Sequence, residues 1–193
     1  MQMAARIRLL RAADRVATPW KNGGGVTREV CRDERSVSAS DFDWRVSIAE
    51  VAQPGPFSRF SGYRRLIALI EGRGMDLQMA SGETVPLKPR TVHTFDGNAD
   101  VTGAPPFGPV SDLNVIYRPD AFNASLRFSE RDEQLYARAE NVSILINVQS
   151  NAVEATAGGE SIALHYLDAL LIADTALTRA GGGVCAVIEL IEA

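Results

Sequence analysis

Residues 44–49 read WRVSIA, inside the longer stretch DFDWRVSIAEVAQPGPFSRFSGYRRLIALIEGRG of residues 41–74. In an extended chain successive side chains point to opposite sides, so one face holds Trp44, Val46 and Ile48. The other face holds Arg45, Ser47 and Ala49. This alternation predicts a β-strand with one packed face and one face that can meet a ligand.

Similar short apolar stretches recur along the chain, separated by Gly, Pro, Asn and Asp, and apolar residues at helical spacing for three turns are almost lacking. We read 132–140 as a short helix or a loop, and 103–110, GAPPFGPV, as a linking loop. The predicted strands are 7–10, 26–31, 44–51, 63–71, 75–79, 92–95, 112–117, 126–130, 142–148, 153–157, 161–164, 169–173 and 184–191. So many short strands indicate an all-β sandwich or barrel.

A weak internal repeat supports two related halves. Residues 82–87, GETVPL, match residues 159–164, GESIAL, at an offset of 77, and the same offset places Phe95 on Ile172. Each copy reads as strand, turn with Gly-Glu, and strand, which is typical of half a jelly roll. Coincidence between two similarly patterned β segments would also produce this few identities.

Composition and charge limit the possible partners. The chain has 193 residues, 46% of them apolar, enough for one substantial core or two small ones. Its net charge is −4 and its basic residues are scattered, which argues against nucleic acid. Apolar runs such as 66–70 are far shorter than the ~20 residues of a membrane span.

The N-terminal segment and the cysteines favour the cytoplasm. Residues 1–17, MQMAARIRLLRAADRVA, lack the apolar region and cleavage site of a signal peptide. Their arginines also suit an organellar transit peptide, but a first strand is the simpler interpretation. Cys31 and Cys185 lie in apolar, strand-like segments, so we predict buried thiols in a reducing compartment rather than a disulfide.

Five motifs, in this order, give the chain a resemblance to the HutD/Ves family. They are WKNGGGVTREV (20–30), DFDWRVSIAEV (41–51), GPFSRFSGYRRLIALIEGRGM (55–75), TFDG (94–97) and DLNVIYR (112–118). The resemblance implies a cupin-type double-stranded β-helix with two barrel halves in one chain, a bicupin. We place the first barrel in 1–120 and the second half in 121–193, with strands exchanged between them.

The same resemblance implies a role in histidine utilisation. HutD is suspected of binding a small pathway metabolite such as formylglutamate or urocanate, and of moderating flux or expression. The Ves branch is described as stress-related, and the pattern alone does not assign the chain to either branch.

Strand alternation and the family pattern together predict a ligand site. An arginine at a barrel mouth suits a carboxylate, which it can hold with two parallel hydrogen bonds, while Ser and Asn orient it. The predicted ligand-binding residues are Asn22, Thr27, Arg45, Ser47, Arg65 and Asn114. The simpler alternative is that these side chains form structural ion pairs with Glu29, Glu50 or Asp112. If Arg45 does bind the ligand, Arg45→Ala should abolish binding in a folded protein.

Metal and cofactor sites are not predicted. A metal-dependent cupin offers three or four converging His and Glu ligands, whereas this chain has two histidines in all, His93 and His165. Residues 22–25, NGGG, precede a strand-like segment rather than a helix with Lys-Ser/Thr, so a wide turn is a better interpretation than a phosphate loop. Trp20 and Trp44 are interpreted as core residues.

Three functional classes remain. The first is a noncatalytic, metal-free cupin that binds a small carboxylate or amino-acid metabolite and modulates histidine utilisation or a related stress response; a homodimer is one assembly open to it. The second is a metal-free isomerase or hydrolase that uses His93, Glu29 or Glu50 for acid-base chemistry. The third is an interaction module with a vestigial pocket. We favour the first class.

Overall fold

The computed structural model describes residues 6–33, 41–136, 141–157, 159–173, 175–180 and 183–193. These residues form short β-strands and one 3-10 helix, Ala12–Asp14. The strands are β1 Arg6–Leu10, β2 Ala17–Pro19, β3 Gly25–Arg32, β4 Trp44–Val51, β5 Gly55–Pro56, β6 Arg64–Glu71, β7 Met75–Met79, β8 Thr84–Leu87, β9 Val92–Asp96, β10 Val101–Ala104, β11 Val110–Tyr117, β12 Phe122–Ser129, β13 Glu133–Tyr136, β14 Asn141–Asn147, β15 Val153–Ala157, β16 Glu160–Leu164, β17 Ala169–Ala173, β18 Ala176–Ala180 and β19 Cys185–Glu192. The predicted all-β class is therefore confirmed.

One compact unit comprises the described residues of 15–122. Its larger sheet has the strand order β2-β3-β4-β11-β6-β9, and its smaller sheet the order β5-β10-β7-β8. Both sheets contribute to one apolar cluster, with Ile67 and Leu69 from the larger sheet and Leu77 and Val101 from the smaller one. Burial of these side chains holds the two sheets face to face.

The other compact unit comprises the described residues of 1–14 and 123–193. Its sheets have the orders β1-β17-β14-β19-β12 and β13-β18-β15-β16. Its apolar cluster includes Leu145, Leu164, Ile172 and Val187, all fully buried. The N-terminal strand β1 pairs along its whole length with β17, so the described start of the chain belongs to this unit.

The two units share a strand order. In the larger sheets the run β4-β11-β6-β9 corresponds to β12-β19-β14-β17, and the smaller sheets correspond strand for strand. Gly82 and Gly159, aligned by the sequence repeat, both turn a hairpin at positive φ, +89° and +85°, where a residue without Cβ is favoured. The matched Leu87 and Leu164 are both buried at the end of the second hairpin strand. The sequence repeat thus corresponds to a repeated succession of strands.

Two local predictions need correction. Residues 133–136, interpreted as helix or loop, form strand β13, which pairs with β18 and places buried Leu135 between exposed neighbours. Residues 137–140 lie outside the described residues. The linking loop predicted for 103–110 is shorter, because Gly103 and Ala104 complete β10 and Val110 begins β11. Pairing to a neighbouring strand decides both cases, and a local sequence pattern does not show such pairing.

Two further predictions concern the cysteines and membrane-spanning segments. Cys31 and Cys185 are both buried, as predicted. Among the described residues, no helix has the length and apolar character needed to cross a membrane.

Candidate functional site

A cavity of about 620 Å³ lies in the unit of residues 15–122. Sheet, turn and loop residues all contribute to its lining. It is lined by all six residues that the sequence analysis selected, namely Asn22, Thr27, Arg45, Ser47, Arg65 and Asn114. The structure therefore brings the six together in one cavity, and their role in ligand binding stays a prediction.

Strand register explains why four of these side chains meet. Within the larger sheet, Ile116 of β11 pairs with Arg45 on one side and with Arg65 on the other. Two residues along, Asn114 pairs with Ser47. Because paired residues on adjacent strands project from the same face, and that face repeats every second residue, these side chains form two adjoining rows on the cavity side.

Arg65 is the most deeply buried cation of the cavity, with 4% of its surface exposed. Its Nη2 donates a 2.5 Å hydrogen bond to Asn114 Oδ1, and its Nη1 donates a 3.3 Å hydrogen bond to the Ser58 carbonyl. No acceptor among the described residues reaches its Nε. The guanidinium therefore keeps donor capacity that the surrounding protein does not use.

Aromatic rings surround the Arg65 guanidinium. Its central carbon lies 4.9 Å from the ring centre of Phe57, 6.0 Å from that of Phe60 and 5.0 Å from that of Phe95. Ring faces attract a cation and also exclude water. Burial lowers the pKa of Arg65 to about 10, so the group stays positively charged at neutral pH.

Behind Asn114 lies a buried carboxylate that was predicted from the sequence only as a structural counter-ion. Asp112 is fully buried, and its Oδ1 accepts a hydrogen bond from Asn114 Nδ2. Burial raises the pKa of Asp112 to about 7, against the opposing effect of Arg65. Asp112 and Asn114 lie two residues apart in β11 and therefore share one face of the strand. Arg118 follows the end of the strand and pairs with Asp120.

Arg45 is held by an ion pair within the same sheet. Its Nε lies 2.9 Å from Glu29 Oε2, and 22% of its side chain is exposed. The structural alternative from the sequence analysis therefore describes one of its contacts, while the side chain still lines the cavity. Because Glu29 offsets its charge, Arg45 presents a weaker positive field to an anion than Arg65 does.

The glycine loop before β3 closes one side of the cavity. Asn22 Oδ1 accepts a 3.0 Å hydrogen bond from the Gly24 backbone N–H, so the loop is a turn stabilised by its own side chain. Thr27 Oγ1 accepts a 2.8 Å hydrogen bond from the Trp20 indole N–H. Asn22 and Thr27 thus shape the cavity wall through contacts within the protein.

Some lining residues were not predicted from the sequence. Trp20, interpreted as a core residue, does pack against the apolar cluster of its unit, but it also lines the cavity, where its ring meets Phe57 edge-on at 6.2 Å. Trp44 is buried as predicted. Lys21 and Phe60 also line it. The spacing of aromatic residues along 57–63 was the available signal, but which of them point inward depends on the loop after β5.

The three residues considered for acid-base chemistry are placed differently. The described residues that line the cavity do not include Glu29, Glu50 or His93. Glu50 instead pairs with Arg28, and the His93 ring stacks on Phe95 at 6.1 Å. The described residues also contain no group of three or more His, Cys, Asp or Glu side chains placed to hold a metal ion.

Comparison with known proteins assigns this chain to a family. The HutD family pattern matches residues 12–187. The chain belongs to the HutD family. Among its relatives, a 21.2 kDa protein of the hutC 3′ region of Pseudomonas putida is 35% identical over 190 residues, spanning 97% of this chain and 99% of the relative. Protein Ves of Citrobacter koseri is 39% identical over 113 residues, 58% of each chain. The predicted HutD/Ves resemblance is confirmed.

Several solved structures have a similar fold. A conserved protein of unknown function from Pseudomonas aeruginosa PAO1 superposes with a TM-score of 0.84 at 33% identity, over 96% of this chain and 99% of that one. HutD from Pseudomonas fluorescens SBW25, described as its formate condition, gives 0.81 at 33% identity over 97% and 100%. The bacterial pirin YhhW of Escherichia coli, in complex with nickel(II), gives 0.68 at 10% identity over 97% and 99%, a likeness of fold alone. The fold is thus all-β and cupin-like.

Proposed function

We propose that this HutD-family chain is a noncatalytic, metal-free cupin that binds a small carboxylate or amino-acid metabolite in the cavity around Arg65. Through that binding it modulates histidine utilisation or a related stress response. The names of its relatives support the setting, since they include HutD, a protein of the hutC region and Ves. Formylglutamate and urocanate are the first candidate ligands.

The observation that carries the proposal is the unused donor capacity of Arg65. A buried guanidinium with an unpartnered Nε–H loses hydration that the protein does not replace. An incoming carboxylate restores that hydrogen bonding and supplies the opposite charge. The aromatic walls of Phe57 and Phe60 exclude water, which strengthens the attraction.

The finer architecture and setting are part of the same proposal. Each compact unit is one half of a bicupin, with a boundary near residue 121 and strands exchanged between the halves. The protein acts in the cytoplasm on a small metabolite, without nucleic acid or membrane partners, and a homodimer is compatible with this role. The repeated strand order of the two units supports the duplication.

A metal-free isomerase or hydrolase is the second candidate function. One observation favours it: Asp112 is a carboxyl group with a pKa of about 7, the range in which a general base works well. However, Asp112 is fully buried behind Asn114, and a base must come within hydrogen-bond reach of the proton that it removes. Its position therefore favours binding over catalysis.

A thermal-shift screen followed by a turnover assay tests the proposal. The compounds are formate, formylglutamate, urocanate, glutamate and histidine, with glutamine as an uncharged-side-chain control. A ligand at 100 times its Kd stabilises the folded protein by about 2.7 kcal/mol, so one carboxylate is expected to raise the melting temperature by several degrees. NMR of the mixture after prolonged incubation is expected to show that compound unchanged.

The other outcomes of the screen would contradict the proposal in different ways. Chemical conversion of the bound compound would make the protein an enzyme of the second candidate class. Equal shifts with glutamate and glutamine would contradict recognition of the side-chain carboxylate. The lack of any shift would overturn the proposal in favour of an interaction module.

A further inference from the structure

Three side chains form a hydrogen-bonded row from the cavity into the core. Arg65 and Asn114 line the cavity, whereas Asp112 is outside its lining and fully buried. Asn114 Oδ1 accepts from Arg65 Nη2, and Asn114 Nδ2 donates to Asp112 Oδ1. The innermost member of the row therefore contacts the cavity only through the other two.

The chemistry of a carboxamide makes this row directional. Asn114 has one accepting end and one donating end, and each end has a single correct neighbour here. If the amide were flipped, its NH₂ group would face the Arg65 guanidinium, donor against donor, and its oxygen would face the Asp112 carboxylate. The acceptor at position 112 therefore acts together with the Arg65 donors to keep the Asn114 oxygen facing Arg65.

We propose that Asp112 is a positioning residue for carboxylate binding: acting through Asn114, it holds the Arg65 guanidinium in the orientation that receives the ligand. This inference rests on the proposed function, because it concerns the same cavity. Asp112 would have this role without contacting the ligand, since it is fully buried and does not line the cavity.

The surroundings of Asp112 make its charge sensitive to pH and to a bound anion. Its neighbours across β4 and β6 are Ala49 and Leu69, and its facing charged group is Arg65, with Arg45 beyond. In the described part of the chain, Asp112 Oδ2 has no hydrogen-bond partner. Its pKa of about 7 places its titration in the neutral range, where Arg65 stays charged.

Two variants separate the acceptor of Asp112 from its charge. Asp112→Asn and Asp112→Leu both remove the charge, but only asparagine keeps an oxygen that can accept from Asn114. Binding of N-formylglutamate is measured by calorimetry at pH 8. We expect Asp112→Asn to bind at least as tightly as the wild type and Asp112→Leu to bind roughly tenfold more weakly than Asp112→Asn, the effect of one lost hydrogen bond.

A pH series supplies a readout that a merely structural role would not change. An anion beside Asp112 raises the pKa of that carboxyl group, so binding takes up a proton and affinity is expected to increase as the pH falls from about 8 to about 6. The carboxylates of N-formylglutamate stay ionised throughout this range, since ordinary carboxyl groups titrate near pH 4. Affinity of Asp112→Asn is expected to be independent of pH there.

NMR of the ligand-free protein tests the hydrogen-bonded row directly. The side-chain NH₂ signals of Asn114 and the Nε–H signal of Arg65 are expected to move more in Asp112→Leu than in Asp112→Asn. If Asp112→Leu does not fold, Asp112→Ala serves as the acceptor-free variant. Equal affinities and equal spectra for the two charge-removing variants would overturn the inference while wild-type binding stays intact. Absence of wild-type binding to every carboxylate of the thermal-shift screen would instead remove the proposed function, and the positioning role with it.

Discussion

Replacement of Arg65 with methionine is expected to weaken carboxylate binding by roughly 30-fold or more, because truncating one partner of a buried, hydrogen-bonded charge pair costs about 2–5 kcal/mol. Methionine keeps an unbranched apolar chain between the rings of Phe57 and Phe95, so the aromatic surround remains filled. Arg65→Lys keeps the charge but not the planar fork, and we expect an intermediate loss.

Calorimetry with the carboxylate found in the screen measures the effect. Arg64→Met is the matched control, because Arg64 precedes Arg65 on β6 and is exposed on the opposite face. It loses the same charge and should bind within about twofold of the wild type, as expected for a distant surface charge. A folded Arg65→Met variant with wild-type affinity would remove Arg65 from the site.

Arg45→Ala provides a graded comparison for the same assay. Sequence alternation alone pointed to Arg45 as the residue whose loss abolishes binding. The ion pair with Glu29 already offsets part of its charge, so we now expect a smaller loss than for Arg65→Met. A larger loss would place the ligand carboxylate on Arg45 instead.

Gly25→Ala is expected to destabilise the protein by about 3 kcal/mol, the upper end of the usual cost of overpacking. A Cβ at position 25 would lie 2.4 Å from the Glu50 backbone oxygen and 3.0 Å from Trp20 Cδ2. The backbone of β4 cannot move easily, because it is paired with β3 and β11 on its two sides. The clash should also displace Trp20 and weaken binding.

Gly24→Ala is the matched control in the same loop. A Cβ there would meet Asn22 Oδ1 at 3.4 Å and the Gln53 backbone oxygen at 3.6 Å, which are close to ordinary contact distances. We expect its stability to change by less than about 0.5 kcal/mol, as for most unstrained substitutions. Urea unfolding followed by circular dichroism measures both variants, and a Gly25→Ala midpoint equal to that of Gly24→Ala would show that β3 yields at this point.

Sequence periodicity was sufficient to place most of the cavity. The period of two in β4 and β11 determines which side chains share a face, and Arg45, Ser47 and Asn114 follow from it directly. Asn22 and Thr27 came instead from the family resemblance. Arg65 was harder to assign, because Arg64 precedes it and either one satisfies the alternation. Only the pairing of Arg65 with Ile116 shows which arginine faces inward.

The remaining features depend on contacts between segments that are distant in sequence. The near-neutral pKa of Asp112 comes from its complete burial in the middle of a sheet, and Trp20 reaches the cavity through the hydrogen bond to Thr27. Strands as short as β5, or pairs such as β13 with β18, exist because a neighbour supplies their hydrogen bonds. The alternation of residues within one segment does not show which strand will pair with it.

The two tryptophans of this chain occupy contrasting positions, and this gives the protein a built-in optical reporter. Trp44 is buried on the packed face of β4, so its emission should stay constant when the cavity fills. Trp20 lies at the cavity wall with its indole N–H on Thr27, so its emission should respond to an occupant. Because the chain has only these two tryptophans, stopped-flow tryptophan fluorescence can measure ligand association and dissociation rates in the unlabelled protein. Trp20→Phe is the control, since its fluorescence should not respond to the ligand.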